Sequence, residues 1–147
     1  MALIYLTLEQ AIEIHETTVR ISGGGAMGSL DTDKLDSVLH HIQNDAYYPT
    51  VVDKLTHLFF CTCQFHCFED GNKRLAISLC AQFLLLNGYL TVMQRFFPEM
   101  ENISYHVAAG RIDKDFLREI ICAVINDEMD NEELKLKIYE AISRDEL

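Results

Sequence analysis

Basic residues are scarce in this 147-residue chain. Twelve lysines and arginines stand against twenty-three aspartates and glutamates, which gives a net charge of −11. Proteins that bind nucleic acid through its phosphates need a broad basic surface, so we do not expect DNA or RNA as the main partner. The acidic balance instead suits a protein whose partner carries a basic segment.

Long hydrophobic runs are also missing. No stretch approaches the roughly 20 apolar residues of a membrane span, and the N-terminus lacks the basic start and cleavage site of a signal peptide. We therefore expect a cytoplasmic protein without a membrane partner. The odd number of cysteines, all in apolar surroundings, indicates reduced thiols rather than a disulfide framework. They are Cys61, Cys63, Cys67, Cys80 and Cys122.

Apolar residues recur at helical spacing along most of the chain, which predicts an all-α fold. We expect a compact bundle of six or seven helices, with at most one small β-hairpin near residues 45–49. Capping residues and glycine or proline stops mark the helix ends. The expected helices cover 8–21, 31–44, 51–65, 72–86, 98–109, 113–126 and 130–143, with a short extended piece at 90–93.

The most informative segment is a nine-residue run between two strongly apolar helices. An imidazole can accept a proton near neutral pH, a carboxylate can hold Mg²⁺, and a Gly-Asn turn into a helix can bind phosphate. Together these groups indicate phosphoryl or nucleotidyl transfer. The run reads His66-Cys67-Phe68-Glu69-Asp70-Gly71-Asn72-Lys73-Arg74.

Two cations, Lys73 and Arg74, occupy the first turn of the helix that follows this run. Positive charge at the positive end of a helix dipole destabilises the helix by a few tenths to about 1 kcal/mol per residue. A bound polyphosphate would reverse the sign of that interaction. The alternative is that both side chains simply reach solvent or pair with Glu69.

The run resembles the Fic/Doc family motif His-x-Phe-x-Asp/Glu-Gly/Ala-Asn-x-Arg and fits it at every specified position. The lysine before the arginine, Lys73 before Arg74, resembles the form of the motif in the Doc (death on curing) branch of the family. The resemblance extends over most of the chain and implies a catalytic domain over 1–126. Residues 127–147 are then expected to be a C-terminal helical extension.

The resemblance assigns roles to the first half of the motif. It implies that His66 is the catalytic base, which accepts a proton from a Ser, Thr or Tyr hydroxyl of a protein target. Asp70 would help to hold Mg²⁺ on the nucleotide, and Phe68 would anchor the loop from below. The target would thus be modified on a hydroxyl group.

The resemblance also implies that the second half of the motif binds the nucleotide. The resemblance implies that Gly71, Asn72 and Lys73 form an anion-binding turn, and that Arg74 contacts a phosphate. The nucleotide would be ATP or another nucleoside triphosphate.

Two positions distinguish phosphate transfer from AMP transfer. Main-branch Fic enzymes carry glycine in place of Lys73 and a second arginine in place of Ile77, and both features accompany AMP transfer. This chain has neither feature and in that respect resembles Doc-type toxins, which are described as phosphorylating a translation elongation factor. We therefore favour phosphate transfer, with AMP transfer as the alternative.

Regulation and target binding are also implied by the resemblance. Many Fic proteins carry an inhibitory Ser/Thr-x-x-x-Glu-Gly/Asn helix, but here Phe97 lies four residues before the glutamate of Glu101-Asn102. The chain therefore predicts an antitoxin that acts in trans. By the same analogy residues 43–48, with Tyr47 and Tyr48, form a flap that aligns the target by strand addition.

Two other classes remain as alternatives. A zinc protein could use the histidines and cysteines, but the sequence has neither Cys-x-x-Cys nor His-Glu-x-x-His. A catalytically idle binding module could keep the motif for structural reasons alone. The intact motif argues against the second alternative.

Overall fold

The structure is a computed structural model that describes residues 2–21, 23, 31–65 and 71–144. These residues form seven helices and no strand, so the predicted all-α class is confirmed. The helices are α1 (Leu8–Ile21), α2 (Thr32–His41), α3 (Val51–Phe65), α4 (Asn72–Leu86), α5 (Leu90–Ala108), α6 (Lys114–Ile125) and α7 (Glu132–Ile142). Among the described residues, no helix is both long and apolar enough to cross a membrane.

Local sequence signals set several of these helix ends. Thr7 and Gln10 form a capping box before α1, in which the Thr7 amide donates to Gln10 Oε1 at 2.9 Å and the Gln10 amide donates to Thr7 Oγ1 at 3.2 Å. Asp31 caps α2 and Asp113 caps α6 through their carboxylates. These caps satisfy backbone N–H groups that have no partner within the helix.

Helices α3 and α4 form the centre of the bundle. Both are buried on nearly every side, because their apolar residues are not confined to one stripe. Helices α1 and α5 pack on α4, while α2 and α6 pack on α3. The nine-residue motif therefore begins directly after one of the two most buried helices and ends within the first turn of the other.

The prediction for residues 90–98 is wrong. The expected extended piece at 90–93 and the expected helix start at Pro98 are instead parts of one helix, α5, with Pro98 in its interior. A proline inside a helix costs about 3 kcal/mol. One continuous stripe of buried residues outweighs this cost, because a break at Pro98 would separate its two halves from the same core. The stripe is Val92, Phe96, Met100, Ile103 and Val107.

The cap of the last helix also differs from the prediction. Asn131 rather than Asp130 caps α7, and its Oδ1 accepts a hydrogen bond from the Leu134 amide at 3.0 Å. Asp130 instead forms an ion pair with Lys135. The two neighbouring residues are both good capping types, so the sequence alone does not distinguish them.

Candidate functional site

The second half of the motif forms the N-terminus of α4. Gly71 is the residue before the helix and adopts a left-handed conformation with φ 82° and ψ 10°. Its carbonyl accepts the first helical hydrogen bond, from the Leu75 amide at 2.8 Å. Asp31, Asp113 and Asn131 cap α2, α6 and α7 with their side chains, whereas Gly71 at the same position of α4 has no side chain that could do so. Such a helix start is suited to an anion, which can take the place of a capping carboxylate.

Helix α1 packs tightly against this turn. A Cβ atom on Gly71 would lie 3.1 Å from Cγ2 of Val19 and 3.4 Å from Nε2 of His15. Both residues of α1 are fully buried. Only glycine therefore fits here, for its positive φ as well as for the lack of space.

The three residues after Gly71 differ in exposure. Asn72 is buried, whereas Lys73 and Arg74 are exposed at the helix start. The Lys73 ammonium lies close enough to α3 to influence the Cys63 thiol. Burial raises the pKa of Cys63 to about 12, and the positive charge of Lys73 offsets only part of that effect. Both cations thus remain on the surface of the turn, where a phosphate could approach them.

The first half of the motif, with His66, Phe68 and Asp70, lies outside the described residues. The described residues on either side are Phe65, which ends α3, and Gly71, which precedes α4. Phe65 is 38% exposed, and the Lys34 ammonium of α2 lies 5.7 Å from the centre of its ring. Phe65 thus lies beside α2, and Gly71 lies against α1.

The two tyrosines of the predicted flap have different environments. Tyr47 is 78% exposed. Tyr48 stacks on His57 of α3, with ring centres 4.4 Å apart, and its hydroxyl lies 3.3 Å from His57 Nε2. Tyr48 is thus held by the protein, and Tyr47 alone projects outward.

His57 is the centre of a polar cluster beneath this segment. The Lys114 ammonium donates to His57 Nδ1 at 2.8 Å, and the Cys61 thiol lies 3.6 Å from the same atom. Burial, with the nearby charges of Lys114 and His41, lowers the pKa of His57 to about 4. The imidazole is therefore neutral at physiological pH.

Metal-binding groups were sought through the described ranges. No cluster of three or more His, Cys, Asp or Glu side chains there could hold a metal ion. The four described cysteines are free thiols, and three of them are buried. The zinc alternative therefore gains no support from this part of the chain.

A groove of about 490 Å³ lies between α1, α4 and α5. Thr18 and Ser78 line one part of it and Phe97 another, and the Thr18 and Ser78 hydroxyls are 3.3 Å apart. None of the predicted site residues that the structure describes lines the groove. Ser78 of the groove lies four residues after Arg74 in α4, so the two residues are on the same side of the helix.

Lys54 is a residue that the sequence-based reasoning missed. Its side chain is 1% exposed, which is rare for lysine, and it bonds to the segment that carries Tyr47. A signal was present in the sequence, because Lys54 is a cation within a helix that the pattern predicts to be buried nearly all round. Its partners lie on another element and could not be read from the pattern.

Comparison with known proteins identifies the family. The Fic/DOC family profile matches residues 5–84, which is more than half of the chain. The curated "Protein kinase doc" of Escherichia phage P1 is 27% identical over 113 residues, covering 74% of this chain and 85% of the relative. The chain therefore belongs to the Fic/Doc family of transferases, on its Doc branch.

Proposed function

We propose that this protein transfers a phosphate group from a nucleoside triphosphate to a Ser, Thr or Tyr hydroxyl of a protein target. The observation that carries the proposal is the start of α4. Gly71, in a left-handed conformation and without a side chain of its own, opens the helix, and two exposed cations follow within its first turn. This arrangement is costly for an isolated helix but favourable for one that binds polyphosphate.

The reaction needs a base on the side of the target hydroxyl. His66 accepts the hydroxyl proton, and the hydroxyl oxygen forms a bond to the γ-phosphorus. The bond from that phosphorus to the bridging oxygen of the β-phosphate breaks, and the nucleoside diphosphate leaves. Arg74 and the Gly71–Lys73 turn hold the phosphates while this occurs.

Magnesium would neutralise charge on the phosphates and align them. Asp70 is the residue that would hold it, together with phosphate oxygens of the nucleotide. Mg²⁺ bound to a nucleotide commonly has only one or two protein carboxylates as ligands. The lack of an acidic cluster among the described residues is compatible with such a site.

Ile77 supports phosphate transfer over AMP transfer. Its side chain is 3% exposed and packs in the core of the bundle. It therefore adds no second cation to the phosphate site, in the place where main-branch Fic enzymes have arginine. The curated relative from phage P1 is also named a protein kinase.

Labelled nucleotides distinguish the candidate reactions. Purified protein is incubated with lysate protein, Mg²⁺ and ATP labelled on either the α- or the γ-phosphate. Label from the γ-phosphate alone indicates phosphate transfer, and label from the α-phosphate indicates AMP transfer. If neither label reaches protein, the chain is an idle binding module and the proposal fails.

His66→Ala is the key variant in this experiment. It should abolish label transfer while nucleotide affinity stays within about twofold, because the imidazole acts on the hydroxyl rather than on the nucleotide. His40→Ala is a suitable control, since His40 is an exposed histidine of α2. Transfer that persists in His66→Ala would remove His66 as the base.

We further propose a toxin that an antitoxin inhibits in trans. Glu101 and Asn102 lie on the exposed side of α5, where Phe97 replaces the Ser/Thr of the inhibitory motif. A translation elongation factor is the candidate target by family resemblance. Growth arrest on expression, relieved by a small open reading frame beside the gene, would test the pair.

The division into a catalytic domain over 1–126 and an extension over 127–147 belongs to the same proposal. An ion pair between Lys137 and Glu119 joins α7 to α6, and Leu134 and Ala141 of α7 are buried. A chain that ends at residue 126 should therefore keep transfer activity, although it exposes part of α6.

A further inference from the structure

The segment between α2 and α3 is a closed turn built around Asn44. The amides of Ala46 and Tyr47 donate to Asn44 Oδ1 at 2.9 and 3.4 Å, and the amide of Tyr48 donates to the Asn44 carbonyl at 2.9 Å. Three successive N–H groups are thus already bonded. A target strand could not pair with them unless the turn opened, so strand addition does not suit the turn as it stands.

Lys54 of α3 holds the start of this turn from beneath. Its ammonium donates to the Ile42 carbonyl at 2.7 Å and to Asp45 Oδ1 at 2.7 Å. Burial lowers the pKa of Lys54, but hydrogen bonds with Asp45 and Tyr5 outweigh burial, so the pKa lies above its ordinary value. Lys54 is therefore charged at neutral pH, where it also neutralises the C-terminal end of α2.

His57 holds the far end of the same turn. Because its Nδ1 accepts a hydrogen bond from Lys114, its Nε2 carries the hydrogen and faces the Tyr48 hydroxyl at 3.3 Å. Lys54 and His57 are three residues apart and thus lie on one face of α3. Between the two attachments the ring of Tyr47 is left outside, 78% exposed.

We propose that Lys54 and His57 are positioning residues, which hold the 43–48 turn closed so that the Tyr47 side chain contacts the protein target. This inference rests on the proposed function, since it concerns how that target is held. Recognition then depends on an aromatic side chain on a rigid support. A rigid aromatic loses little conformational freedom on binding, which is why such residues are common anchors at interfaces.

Hydrogen exchange tests the support independently of catalysis. In Lys54→Met the amides of residues 46–48 should exchange at least tenfold faster, while those of α4 keep their rates. Lys137→Met is the matched control, because it removes a lysine that pairs with Glu119 at the surface. Asp45→Asn, at an exposed residue, is a second variant and should also speed exchange, with the rates of α4 again as the check that the core stays folded. Exchange unchanged in both variants overturns the inference.

Label transfer tests the role of Tyr47. With γ-labelled ATP and lysate protein as acceptor, Tyr47→Ala and Lys54→Met should each reduce the initial rate at least tenfold, with ATP affinity within twofold of wild type. If Lys54 acts through Tyr47, the double variant should be no slower than the slower single variant.

The outcomes separate the two proposals. Full activity of Tyr47→Ala in a preparation whose wild type transfers label overturns the present inference alone, and so does additive loss in the double variant. A wild type that transfers no label overturns the proposed function and with it the docking role of Tyr47, whatever the exchange rates of the turn.

Discussion

Gly71 and Val19 approach so closely that a Cβ atom on Gly71 would lie 3.1 Å from Cγ2 of Val19. Gly71 precedes α4 and Val19 belongs to α1, so the turn at the start of α4 lies close against a second helix. Gly88, after α4, has a similar φ of 87° but open space around it. A comparison of Gly71 with Gly88 therefore separates the effect of backbone conformation on stability from the effect of packing.

Gly71→Ala should therefore destabilise the protein more than Gly88→Ala. The left-handed conformation costs either alanine about 1 kcal/mol. Overpacking against Val19 should add about 1–3 kcal/mol at position 71 only. Urea denaturation measures both values, and equal losses would contradict the packing argument. Nucleotide affinity should fall in Gly71→Ala alone.

Arg74→Ala should weaken nucleotide binding about 10- to 100-fold. The estimate follows from the roughly 1.5–3 kcal/mol of a hydrogen bond to a charged group. Titration calorimetry with ATP and Mg²⁺ gives the affinity. Arg144→Ala, at the exposed end of the chain beyond α7, is the control and should change nothing. An unchanged affinity in Arg74→Ala would remove this residue from the phosphate site.

Asp53 makes the stability of the protein depend on pH. Its carboxylate accepts hydrogen bonds from the Thr50 amide and hydroxyl at 3.2 and 2.7 Å, and from Arg118 Nε at 2.7 Å. Burial opposes ionisation of Asp53, but these bonds outweigh burial and lower its pKa below the ordinary value. The stabilisation is thus complete above the unfolded-state pKa of about 3.9 and is lost as pH falls through the folded-state pKa.

Asp53→Asn should accordingly cost about 1 kcal/mol at pH 7, the usual value of a capping interaction, since Arg118 is half exposed and screened by solvent. The difference from wild type should begin to shrink below about pH 4, where the unfolded chain binds the proton, and should shrink further as pH falls through the lower folded-state pKa. Urea denaturation at pH 7 and at pH 3 measures it. A difference that is the same at both pH values would show that the charge is not involved.

Pro98→Ala should stabilise the protein. Pro98 lies inside α5 on its exposed side, so alanine restores a backbone hydrogen bond and removes a steric conflict without changing the core. The gain should be about 1–3 kcal/mol. Thermal denaturation measures it, with the exposed neighbour Glu99→Ala as control. A loss of stability would mean that α5 needs the proline at this point.

Most of the fold could be read from the sequence. The bounds of α1, α3 and α4 agree with the predictions, because capping boxes, apolar spacing and a Gly88 stop are local signals. The all-α class and the family follow from the same local information. In the site, the sequence located Gly71–Arg74 at a helix start, and the phosphate-binding role of its two cations stays a prediction.

The tertiary structure decided what depends on contacts between distant parts of the chain. Pro98 is a helix breaker by its local properties, yet α5 continues through it because its buried stripe faces one core. Tyr47 and Tyr48 are alike in sequence, but only the position of His57 on α3 turns one inward and leaves the other exposed. Lys54 is buried because the Ile42 carbonyl and Asp45 are within reach. Local chemistry thus determined where the helices and the motif lie, whereas packing and long-range hydrogen bonds determined how the segment beside α3 is held.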